Sequence, residues 1–199
     1  MCEITLKGLN FKRCRLWLER AKDRYKKKDP IDAFICSWIA FNHYFSTYCA
    51  RDEVQDALYT HAGKQKGAYI SDYKQLLFLC DQDDFRNCFN LFRKQRMSLF
   101  RRRILLPHKM ETIKGSSATE NKLSFARPSA TMTITTMNTI RTNLFHGHKD
   151  SDDERDLSLC HWAASILILF LDFLLSNTRG ETFSGDDPKP EVAPLKPQA

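Results

Sequence analysis

Ile140-Arg141-Thr142-Asn143-Leu144-Phe145-His146-Gly147 ends one helical period, and Ser151-Asp152-Asp153-Glu154 opens the next. Upstream, apolar residues recur at Met132, Met137, Ile140 and Leu144. They predict a helix over Ser129–Phe145, although its many threonines lower the intrinsic propensity and leave packing to hold it. Gly147 stands where a left-handed C-terminal cap favours a residue without Cβ. Ser151 to Glu154 matches a capping box, with acids at the positive end of the following helix. Leu157, Cys160, Ala164, Leu167, Ile168, Leu171 and Leu174 carry that helix to about Leu175. The chain therefore closes on two helices, with an arginine and a histidine at the break between them.

The opening of the chain follows the same logic. Phe11, Cys14, Leu18, Ala21 and Tyr25 make Phe11–Lys28 an amphipathic helix. Lys26-Lys27-Lys28 lies at its end, where cations also suit the helix dipole. Asp29-Pro30 supplies an N-cap and a first-turn proline. From there Ile31, Phe34, Ile35, Trp38, Ile39, Asn42, Phe45 and Tyr48 fall on one face, antiparallel to the first helix. Asn42 is the polar member of that face. It either ties helices together or points toward a polar site.

Between these pairs, Arg51–Gly67 reads as a short helix and a loop, and Ser71–Leu79 and Asp84–Leu106 as helices. The last ends in Arg101-Arg102-Arg103, after Arg93, Lys94 and Arg96, with Phe92 and Phe100 interleaved. An RNA-binding groove has this composition, and so does a solvated helix face whose aromatics point inward. His108–Pro128 reads as a long connection. The expected fold is all-α. Residues 1–176 form one helical domain, of which 51–128 are a variable helical insert and connection, and 177–199 form a disordered tail.

Composition sets the outer bounds. The 199-residue chain is the size of one domain, and a 42% hydrophobic fraction with fourteen Phe can build a core. A formal charge of +7 favours anionic partners. Seven cysteines at irregular spacing, with no C-x-x-C, suit reduced, buried thiols and a cytoplasmic protein. Met1–Phe11 mixes charged and apolar residues, so no signal peptide is expected. Trp162–Leu175 is shorter than the roughly 20 residues of a membrane span and contains Asp172, so it reads as a buried helix.

Arg141 and His146 are the candidate catalytic pair, because guanidinium holds phosphate and imidazole moves protons near neutral pH. Spacing alone does not select them. Arg103 and His108 have four residues between them, Arg155 and His161 have five, and Arg141 also pairs with His148. Context separates these candidates: Arg103–His108 runs into a loop, and Arg155–His161 lies along one continuous helix.

Ile140 through Asp150, followed by an acid-capped apolar helix, resembles the closing half of a HEPN domain of the Arg-x4–6-His ribonuclease type. Apea-like and toxin or defence proteins belong to that group. Ser37-Trp38-Ile39-Ala40-Phe41-Asn42-His43-Tyr44 resembles the matching piece of the opening half. With their helices these segments cover roughly Phe11–Cys49 and Ser129–Leu175. The resemblance implies an up-down bundle with two long opening helices, a variable middle and two closing helices. It also implies a homodimer in which two motifs face one cleft, and a metal-independent endoribonuclease acting as a toxin or phage-defence effector. Arg141 and His146 then carry catalysis. Thr142 occupies a position that is usually polar and often asparagine in the family.

Asn143, His148 and Asn42 join Thr142 as polar residues expected near the site. Lys149, Arg96, Arg101, Arg102 and Arg103 are expected to meet RNA. No cofactor or metal is expected; the partners are RNA, a second copy and, as a candidate, an antitoxin protein, with no membrane. Two alternatives stand beside this reading. His146, His148, Asp150 and Asp152 carry groups that bind divalent ions, and a non-catalytic dimeric module would use Arg141 and His146 for packing.

Overall fold

The computed structural model describes residues 11–100, 128–145 and 153–177. These form an all-α fold, with no strand among the described residues: α1 (Lys12–Lys26), α2 (Pro30–Cys49), α3 (Asp52–Ala62), α4 (Asp72–Asp81), α5 (Asp83–Gln95), α6 (Met97–Phe100), α7 (Ala130–Phe145) and α8 (Glu154–Asn177).

Backbone chemistry explains the first turn. At the end of α1, Asp29 N–H reaches Arg24 O and Lys28 N–H reaches Tyr25 O, both at 3.1 Å. This is a Schellman closure, and it places Lys28 at φ 59, a conformation normally left to glycine. Asp29 then accepts from Asp32 N–H at 3.1 Å, with Pro30 in the first turn, so α2 starts where the dipeptide predicts. The same closure ends α3, where Lys64 N–H bonds Tyr59 O and Gly63 takes the left-handed position at φ 63.

α2 is the central helix, packed against α1, α8 and α4. Its burial is wider than the single predicted stripe: Ala33, Cys36, Ser37, Ala40, Phe41, Tyr44 and Cys49 are buried too, whereas Ile31, Ile35 and Ile39 lie at the edge. Small residues between the aromatics let neighbouring helices approach from several sides.

The middle helices share this core instead of lying outside it. Leu76, Leu79, Phe85 and Phe89 are almost fully buried together with residues of α1, α2 and α8. Asp84–Leu106 does not form the single helix that its period predicts. Arg96 leaves helical geometry at φ −123, ψ 35, and α6 follows as a separate turn. Tertiary contacts account for the break: Phe100 meets the Phe89 and Phe92 rings at 5.9 and 6.1 Å. The Trp162 indole N–H donates to Leu99 O at 3.1 Å.

α8 starts later than the predicted box, with Asp153 as the capping residue. Its carboxylate accepts from Asp156 N–H at 3.0 Å, whereas Ser151 lies outside the described residues. The helix is also longer than its apolar stretch suggested: Asp156–Ser176 has the length and composition of a membrane span. In the fold, however, Ile166, Leu167, Phe170, Leu171 and Leu174 are completely buried, and α8 packs against α1, α2, α5, α6 and α7. Phe170 lies 5.5, 5.3 and 5.1 Å from the rings of Phe85, Phe89 and Phe92.

Cys14, Cys36, Cys49 and Cys80 are free thiols, and they and Cys160 are buried. Burial pushes the thiols of Cys14, Cys49 and Cys80 up to about 12. Cys88 is completely buried as well.

Candidate functional site

The threonines of the helix that presents Arg141 find their hydrogen-bond partners within it. Ser129 caps α7, its Oγ accepting from Met132 N–H at 3.1 Å. Thr133, Thr135, Thr139 and Thr142 each donate a hydroxyl to the carbonyl four residues earlier, at 2.7 to 3.0 Å. These bonds satisfy hydroxyls that would otherwise be buried without partners. Thr133, Ile134, Met137 and Ile140 anchor α7, which packs on α4, α5 and α8.

Arg141 lies beside this anchored face and is half-buried. Its Nε is buried without a hydrogen-bond partner among the described residues. The guanidinium carbon sits 5.2 Å from the centroid of the Phe145 ring. No carboxylate among the described residues pairs with Arg141. Near the C-terminal end of α7 the dipole favours a cation. It would oppose an anion, so a phosphate bound here depends on the guanidinium.

The other expected site residues separate into groups. Thr142 and Asn143 follow Arg141 on α7, but the Thr142 hydroxyl is bonded to Asn138 O at 2.8 Å. Asn42 donates to Asp72 at 3.4 Å and accepts from Ser46 at 3.1 Å, so its partners lie on α2 and α4 and not on α7. It ties helices together, the structural alternative of the sequence reading. His146, His148, Lys149, Arg101, Arg102 and Arg103 lie outside the described residues, as do Asp150 and Asp152 of the metal alternative. Among the described residues, no three His, Cys, Asp or Glu side chains gather as a metal site.

The basic run around Arg96 does not present its aromatics. Phe92 and Phe100 are buried, and Arg93 donates to Pro128 O at 2.7 Å. Lys94 and Arg96 remain exposed. Of the two readings open for this run, Phe92 and Phe100 fit the helix face whose aromatics belong to the core. They turn inward because Phe100 closes over Phe89 and Phe92.

Phe145 is the residue that the sequence reading passed over. It is 61% exposed and four residues beyond Arg141. The i, i+4 spacing of an arginine and an aromatic ring was the available signal. A second group is buried near the end of α2. The Tyr44 hydroxyl has no partner among the described residues and its ionisation is pushed up by burial. Arg51 covers the Tyr48 ring at 4.0 Å. Of the decoys, His161 stacks on Tyr25 at 4.8 Å and its Nε2 meets the Tyr25 hydroxyl at 3.0 Å.

No protein-family model, curated protein or solved structure matches the chain.

Proposed function

We propose that the protein is a metal-independent endoribonuclease of the HEPN type, working as a homodimer in a toxin or phage-defence role. The observation that carries this reading is the Arg141 guanidinium: half-buried and, among the described residues, with no carboxylate beside it and no hydrogen-bond partner for its Nε. A structural arginine inside a bundle normally finds a carboxylate or carbonyls. One that does not is suited to an incoming phosphate, which guanidinium can hold bidentately.

The chemistry follows from RNA itself. The 2′-hydroxyl attacks the adjacent phosphorus, a new P–O bond forms, the bond to the 5′-oxygen breaks, and the 5′-oxygen takes a proton. Arg141 stabilises charge on the phosphoryl oxygens. His146 removes or delivers a proton, and the partner's copy supplies the complementary role. The products are a 2′,3′-cyclic phosphate and a 5′-hydroxyl. DNA lacks the nucleophile. A cytoplasmic setting suits an RNA substrate, and buried thiols such as those of Cys14, Cys36, Cys49 and Cys80 support it.

A second reading, a non-catalytic dimeric module that binds RNA, a nucleotide-transferring antitoxin or another protein, is favoured by one observation. Asn42 and Thr142, both expected near the site, are engaged in internal hydrogen bonds. Comparing single-stranded RNA cleavage in excess EDTA by wild type, Arg141→Ala and His146→Ala decides between the two. The ribonuclease reading expects roughly 100- to 1,000-fold loss for Arg141→Ala and roughly 100- to 10,000-fold loss for His146→Ala, with helical circular dichroism unchanged. Uncut RNA with wild type, or equal cutting by all three, leaves the non-catalytic module.

A further inference from the structure

We infer that Phe145 is a base-stacking platform beside Arg141, so that the RNA taken at this site is single-stranded; this rests on the ribonuclease reading above. Phe145 is the one exposed phenylalanine among the described residues, at 61%, whereas the others are buried or half-buried. It pairs with no other aromatic ring there. The preceding turn on its face of α7 carries Arg141 and Thr142, so among the described residues Phe145 does not extend an apolar strip along the helix.

The geometry suits one nucleotide. The guanidinium of Arg141 covers part of the ring, 5.2 Å from its centroid, and the remaining surface is open to solvent. A nucleobase offers a π face to that surface, and the adjoining phosphate carries the charge for which Arg141 has no partner among the described residues. Stacking on the ring places base and phosphate together on one face of α7. The cation–π contact between guanidinium and ring is already in place and steadies the platform. Duplex RNA keeps its bases inside an A-form stack and has none to offer. The ring therefore selects unpaired nucleotides, whatever their sequence.

The test is fluorescence anisotropy with a labelled 2′-O-methyl RNA strand, which cannot undergo 2′-hydroxyl attack. Three probes are compared: the intact single strand, the same strand with abasic positions, and the strand annealed to its complement. Phe145→Ala is expected to bind the intact single strand roughly tenfold or more weakly, and Phe145→Trp to retain affinity. The abasic strand should bind wild type as weakly as the intact strand binds Phe145→Ala. Circular dichroism should be unchanged, because the ring is exposed.

If wild type cuts unmodified RNA but Phe145→Ala binds the single strand equally well, the stacking role is wrong and the ribonuclease reading stands. If Phe145→Ala changes only the oligomeric state, the ring is a protein contact and the inference falls. If wild type neither binds the probes nor cuts unmodified RNA, the ribonuclease reading itself fails and takes this inference with it.

Discussion

Phe170 is where the fold is most sensitive to a single substitution. Its side chain is fully buried on α8 and meets three rings of α5 at 5.1 to 5.5 Å. Phe170→Ala removes the buried ring and leaves a cavity, a change that costs about 3–5 kcal/mol in other cores. The loss should fall at the upper end. Three aromatic pairs disappear together, each worth roughly 0.5–1.5 kcal/mol beyond burial, and the helices on either side are held by further contacts that oppose collapse. Against a total stability of about 5–15 kcal/mol, such a loss is large. Phe170→Leu refills most of the volume and should lose roughly half as much. Urea unfolding followed by ellipticity at 222 nm, with m unchanged, measures both. The thermal midpoint should drop by roughly 10 °C or more for the alanine variant. A loss below about 1 kcal/mol for Phe170→Ala would mean that α5 and α8 do not share this core.

Alkaline pH should destabilise the protein through its buried thiols. In the unfolded chain they ionise near about 8.5, whereas Cys14, Cys49 and Cys80 hold their protons to about 12 when folded. The folded state thus binds more protons between those values. Stability is fully present below the unfolded value and falls by about 1.4 kcal/mol per pH unit for each thiol above it. Urea titrations from pH 8 to 11 should show this slope, flattened in Cys80→Ala relative to that variant's own value at pH 8. Lys28→Gly relieves a left-handed conformation and should raise stability by about 1 kcal/mol, read from the urea midpoint. Trp162→Phe keeps a buried ring but leaves Leu99 O without its donor; about 1–2 kcal/mol should be lost, with faster proteolysis near α6.

Local chemistry was legible where a few adjacent residues decide the structure. Asp29-Pro30 marked the α1–α2 turn, and threonine-rich α7 was recognised as a helix needing support. Longer-range causes were not legible. The period through Phe85, Phe89, Phe92 and Phe100 looks continuous, yet the chain breaks at Arg96 because Phe100 and Leu99 answer to α5 and α8. Ala33, Ser37 and Ala40 did not register as core because burial of small residues depends on how closely neighbouring helices approach. At the candidate site, the arginine was legible as a residue type. Its missing partner and the exposed ring of Phe145 depend on what surrounds α7 in space, which the spacing of residues does not encode.

The central claim is cleavage by 2′-hydroxyl attack, and the chemical ends of the products test it most directly. Purified protein, incubated with single-stranded RNA in excess EDTA, should yield fragments that mass spectrometry identifies as ending in 2′,3′-cyclic phosphate. The same strand with 2′-deoxy sugars should remain whole. Intact RNA, or 3′-hydroxyl ends that appear only when divalent ions are restored, would contradict the account.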